Sequence, residues 1–253
     1  MFAQKKKKRS TVPVVRRRAG QSVREEWDRL VNENLPFVIF IPGMLWLVWF
    51  TQRPAIANKI SPDFWLALAI IGTGVSAIAY LRLIPRARNL VRGEKGELRV
   101  AEILDDLRAF GYRVYHDLVE DGFNVDHVVV GPSGVYAIET KFRSGSGVIE
   151  YRNGDGLFIG SNRLDEDRDP LAQARGSARA VRERLKDDTG LNRHVKAVLV
   201  FVGDWKIKNV WRDSDVAVLS TKDLPAYFDR YQPELRRDEL KLIASHLERS
   251  ARS

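Results

Sequence analysis

Two apolar runs without a single charged side chain, residues 35–50 and 64–81, constrain this chain more than any other feature of it. A bilayer span needs ~20 apolar residues. The second run approaches that length and extends through Leu83 and Ile84 if Arg82 snorkels to the interface. The first is shorter, and Pro42-Gly43 interrupts it. Trp46, Trp49 and Phe50 close the first run while Phe64 and Trp65 open the second, as in an aromatic belt at one interface. The intervening segment, with Pro54 and Pro62, is short enough for a helical hairpin. A buried core hairpin of a soluble protein is the alternative. The absence of any charge and of an amphipathic face favours the membrane.

The net charge of +9 belongs to that same reading. Residues 1–33 carry ten Lys/Arg against four acids, and residues 82–95 carry five against Glu94 alone. Residues 96–253 hold 25 basic and 27 acidic side chains, so the basic excess is confined to the flanks of the apolar runs. Basic flanks and a poor intervening loop predict a multi-pass protein of the cell membrane with both termini in the cytoplasm. Lys5 to Arg9 also fit a nuclear-localisation or nucleic-acid patch. Topology control and attraction to anionic headgroups need fewer assumptions. Starting after 34 residues and followed by a second run, the first run is not expected to be a cleaved signal. With no cysteine, disulfide scaffolds, thiolate zinc sites and Cys nucleophiles are excluded.

Three regions result: a basic N-terminal segment (1–33), a transmembrane helical hairpin (34–84, spans near 35–50 and 64–84) and a domain over 90–253. In that domain a helix is predicted over 97–110, a short strand over 113–118, and strands over 124–130 and 135–141 joined by Gly131-Pro132-Ser133-Gly134. A second hairpin joins 148–152 to 157–160 through Asn153-Gly154-Asp155-Gly156. Asp169-Pro170 supplies the N-cap and first position of a helix running to about 186, with Leu171, Ala174, Ala178, Val181 and Leu185 on its apolar stripe. Strands over 195–202 and 216–220 and a helix over 234–249 complete an α/β fold, a mixed sheet flanked by helices.

The chemistry concentrates in the hairpin. If Val130 closes against Val135, cross-strand partners have numbers summing to 265, and Asp126 falls opposite Glu139 on one sheet face. Lys141, two residues on, shares that face, while His127 points to the other. Opposed carboxylates repel unless compensated, and a divalent cation compensates them. Oxygen-only ligation favours Mg²⁺ or Mn²⁺. A surface salt bridge from Lys141 to either acid is the plainer alternative. The apolar flanks, Val128 to Val130 and Val135 to Ile138, set these charges in an otherwise buried sheet, which argues for a site.

Asp126 followed by Glu139-Thr140-Lys141 resembles the PD-(D/E)xK nuclease pattern. With Gly93-Glu-Lys-Gly-Glu97, Asn124-Val-Asp-His127 and Asp169-Pro-Leu-Ala-Gln173 it resembles, over roughly 90–205, the nuclease-related domain (NERD). The resemblance implies a restriction-endonuclease-like core and Mg²⁺- or Mn²⁺-dependent phosphodiester cleavage. Val125 stands where the pattern has proline. Carried over, Asp126 and Glu139 would be metal ligands with the Thr140 carbonyl as a third, and Lys141 would orient the attacking water. Glu97 would be the additional acid, or else a first-turn residue compensating a helix dipole; Glu94 is a weaker candidate. Gln173 would contact substrate or Lys141, or else be an exposed helix-face amide. The expected protein is a membrane-anchored, cytoplasm-facing nuclease whose partners are nucleic acid, DNA rather than RNA, and the lipid bilayer. A binding module with weak or no cleavage is the competing expectation, since the acidic domain lacks the usual Lys/Arg excess for phosphate. A membrane-organising hairpin is a third.

Overall fold

A computed structural model describes residues 17–51, 61–120, 123–152, 156–164, 169–208, 215–228 and 232–250. Residues 1–16 of the N-terminal basic segment, the centre of the interhelical linker and the Asn153-Gly154-Asp155 turn lie outside the described residues.

Two long helices lead: α1 (Gln21–Thr51) and α2 (Pro62–Asp106). They pack together as a hairpin, with Trp46 Nε1 donating to Thr73 Oγ1 at 3.0 Å. Both are long and apolar enough to cross a membrane. Their apolar side chains face outward: Phe37, Leu47, Ile71 and Leu81 are each more than 60% exposed. An apolar surface of that extent is rare on a soluble monomer. Pro36 and Pro42 lie within α1 and Pro85 within α2, and none of them ends its helix.

The expected separate helix over 97–110 is instead the last ten residues of α2, followed by a 3₁₀ turn (Leu107–Phe110) that ends at Gly111. The second apolar run therefore continues, as one helix, into the domain that follows. Gly93 and Gly96 lie inside that helix, and at Gly96 the reason for glycine is contact. A Cβ there would stand 3.1 Å from the Cβ of Phe142, so glycine lets α2 approach the sheet.

The sheet runs β1 (Arg113–Glu120), β2 (Phe123–Gly131), β3 (Gly134–Arg152), β4 (Gly156–Ile159) and β5 (Asn162–Arg163). β6 (Val195–Lys208) lies parallel to β3, and β7 (Val216–Ser220) parallel to β6. The predicted β2–β3 register is present: Val130 pairs with Val135 and His127 with Ile138. The two strands expected over 135–141 and 148–152 form one long strand, with a register shift against β6 between Phe142 and Ser146. Gly145 and Gly147 there accommodate the Trp205 ring.

Helix α3 (Pro170–Thr189) begins as its sequence predicts, with Asp169 Oδ1 accepting the Leu171 N–H at 2.9 Å. Its stripe from Leu171 to Leu185 buries against Val128, Val130, Val135, Ala137 and Leu199 on one face of the sheet. The C-terminal part of α2 (Val100, Leu104) covers the other face, against Val129, Tyr136 and Ile138. A short helix that the sequence does not signal, α4 (Leu224–Phe228), joins that second layer, and α5 (Arg237–Ser250) packs with α3. The domain is a mixed α/β sheet flanked by helices, preceded by the apolar hairpin.

Candidate functional site

Strand period decides which side chains meet. Asp126 follows the parity of Val128 and Val130, and Glu139 and Lys141 follow that of Val135 and Ala137, so all three project on the α3 side. The paired ladder of β2 and β3 ends at His127 and Ile138, one step short of Asp126 and Glu139. Past that point the Asp126 side chain takes over from the backbone, its Oδ2 accepting the Thr140 N–H at 2.7 Å.

Glu139 is held by two donors. Lys141 Nζ donates to its Oε1 at 3.0 Å, and Ser177 Oγ, on α3, to its Oε2 at 3.4 Å. Glu97 arrives from the opposite layer on α2 and is only 8% exposed. It lies deep inside a long helix, which removes the first-turn dipole role as its explanation. Glu97, Asp126, Glu139, Thr140 and Lys141 line one cleft of about 550 Å³, with Asn89, Arg92 and Arg143 at its margin.

Burial and neighbouring negative charge in this cleft raise the pKa of Asp126 and of Glu97. Burial first, then the Glu139 and Glu97 charges, hold Asp126 well above the usual carboxylate range, against the Thr140 N–H and Lys141. Glu97 is pushed up to about 7, chiefly by burial and then by Asp117 and Glu139, while the Gly20 N–H and Lys141 act in the other direction. Among the described residues no three His, Asp or Glu side chains stand close enough, as placed, to hold a metal ion. Protein donors occupy these carboxylates instead.

The remaining sequence candidates separate. The Thr140 side chain is buried with Oγ1 unpartnered. Gln173 does not line the cleft; it precedes Ser177 by one turn of α3, and its buried Oε1 has no hydrogen-bond partner. Glu94 is also outside the cleft lining. His127 points to the other face, with its Nδ1 2.9 Å from His116 Nδ1, and burial holds its pKa well below the usual value. Three of the four arginines of α3 are drawn into local contacts, Arg175 to Asp215, Arg182 to the Asn192 side-chain Oδ1 and Arg184 to the Val119 backbone carbonyl. Sequence reasoning missed Ser177, which reads as one more polar residue beside the apolar stripe. It also missed Asp117, buried in β1 and tied to residues a hundred positions away.

Residues 92–202 match the family model of the nuclease-related domain (NERD). The match takes in every residue lining the inner part of the cleft, as well as Ser177 and Gln173. No curated protein and no solved structure matches the chain significantly.

Proposed function

Taking residues 92–202 as a nuclease-related domain, we propose that the chain is a membrane-anchored, cytoplasm-facing nuclease that cleaves phosphodiester bonds, in DNA rather than RNA, with Mg²⁺ or Mn²⁺. One observation carries the reading: Asp126, Glu139 and Lys141 project from one face of adjacent strands into a cleft that Glu97 also lines. By its chemistry, though not by its present spacing, the donor set suits a hard divalent cation. Its side-chain ligands are carboxylates only, and their mutual charge, which raises Asp126 and Glu97, is what such a cation relieves.

Asp126 and Glu139 would hold the ion, with Glu97 beside them and the Thr140 carbonyl within the same strand. Bound there, it would polarise a phosphate oxygen and lower the pKa of a water. Lys141 supplies the positive charge of the cleft floor, facing the negative charge that develops on a phosphate during attack. The Thr140 N–H fixes the Asp126 carboxylate, and Ser177 fixes Glu139, so neither acid must be ordered at the moment of reaction. Arg92 and Arg143 at the margin offer phosphate contacts to a domain otherwise slightly acidic. Anchoring rests on the outward apolar surface of α1 and α2, and the cytoplasmic orientation on the basic flanks.

The test incubates the full chain in detergent with supercoiled plasmid and Mg²⁺, alongside Asp126→Ala and Lys141→Ala. Nicking by the wild type and by neither variant supports the enzyme. A second reading, a tethered nucleic-acid- or protein-binding module, draws on the direct Lys141–Glu139 ion pair, which leaves the acids without a shared ligand. Retained DNA binding with no nicking by any of the three chains would decide for it.

A further inference from the structure

Asp117 is the one described non-glycine residue at positive φ, 51°. It is buried to 1% exposure on β1. Its Oδ2 accepts from Arg17 Nε at 2.9 Å and from the Ser22 N–H at 3.0 Å. Ser22 opens the first turn of α1, so the carboxylate satisfies an otherwise unpaired N–H at the positive end of that helix. Arg17 reaches forward to Glu25 at 3.1 Å as well, closing the turn on itself.

Between these two contacts the chain passes through Ala19 and Gly20, both buried, with Gly20 against Glu94 of α2. Gly20 has φ 72°, and a Cβ on it would lie 2.9 Å from Glu94 Cγ. Only glycine fits that conformation at that separation. One turn along α2 from Glu94 is Glu97, whose ionised carboxyl the Gly20 N–H favours.

We propose that residues 17–22 are a positioning element of the acidic cleft: pinned by Asp117, they fix the Glu97 carboxyl beside Asp126 and Glu139 and make the base of α1 part of the cation site. The inference rests on the reading of that cleft as a site for a divalent cation. The first apolar helix is then joined to the cleft by two routes, through α2 and through its own N-terminal turn.

The experiment titrates Mn²⁺ into the full chain in detergent micelles and reads free Mn²⁺ by electron paramagnetic resonance. Arg17→Gln is the discriminating variant. Removing a cation near the cleft would by electrostatics alone tighten Mn²⁺ binding, whereas losing the pin weakens it. The expected result is about tenfold weaker binding, the scale of removing a group that orients a metal ligand, with partial recovery in Arg17→Lys. Gly20→Ala, which alters no charge, weakens binding likewise and serves if Arg17→Gln does not fold. In a Glu97→Gln background neither substitution has a further effect. Wild-type affinity, or tighter, in Arg17→Gln and wild-type affinity in Gly20→Ala would overturn the proposal and leave the cation site standing. A wild-type chain that binds no Mn²⁺ overturns both.

Discussion

Glu97→Gln should make the metal-free protein more stable, and only at neutral to alkaline pH. The carboxyl ionises near 4.5 when unfolded and at about 7 in the folded cleft. Between those values the folded state binds the extra proton, so wild-type stability is full below pH ~4.5 and is lost as pH rises through ~7. At ~1.4 kcal/mol per pKa unit, the penalty at pH 8 is slightly over ~3 kcal/mol, and at pH 5 it stays under about 1 kcal/mol. Glutamine keeps the shape and carries no charge. For a chain of this length ~3 kcal/mol corresponds to roughly 6–12 °C in midpoint. The assay is thermal unfolding of the full chain in detergent with a chelator at pH 5 and pH 8, followed by tryptophan fluorescence. The variant should melt higher at pH 8 and nearly together with the wild type at pH 5. Adding Mn²⁺ should raise the wild type and narrow the gap. Equal differences at both pH values, or a less stable variant at pH 8, would refute the argument that burial and neighbouring acids strain Glu97.

Other outcomes follow from the same geometry. Lys141→Ala should lower plasmid cleavage by about a hundredfold or more, the scale of removing one electrostatic stabiliser of the transition state. Arg92→Gln and Arg143→Gln should each flatten the dependence of log affinity for DNA on log salt by about 0.9 for each phosphate that is no longer neutralised, measured by fluorescence anisotropy across a range of salt concentrations. His116→Asn should leave cleavage unchanged, because the His116–His127 pair belongs to the opposite sheet face; a large drop would contradict the face assignment.

Local rules of strand and cap made the centre of this domain readable from the chain. The register summing to 265 follows from a four-residue turn, and it places Asp126, Glu139 and Lys141 on one face before any tertiary contact is known. The Asp169-Pro170 start of α3 is equally local. What escaped the sequence is non-local. Gly96 is a close-contact residue, visible as such only once Phe142 lies against it, so α2 reads as two helices and Glu97 as a first-turn acid. Gly145 and Gly147 bend β3 around Trp205, and along the chain they pass for a break. Asp117 draws its meaning from Arg17, and Ser177 from Glu139, across a hundred and 38 positions respectively. Gln173, chosen from the resemblance, lies on the right helix and one turn from the cleft contact that Ser177 makes.

The central claim is that the cleft between Asp126 and Glu139 takes a divalent cation. Anomalous diffraction from crystals of the full chain grown with Mn²⁺ tests it most directly. The account predicts a manganese peak within coordination distance of both carboxylates, with Lys141 Nζ withdrawn from Glu139. A manganese-free cleft at saturating Mn²⁺, with the Lys141–Glu139 ion pair intact, would contradict it.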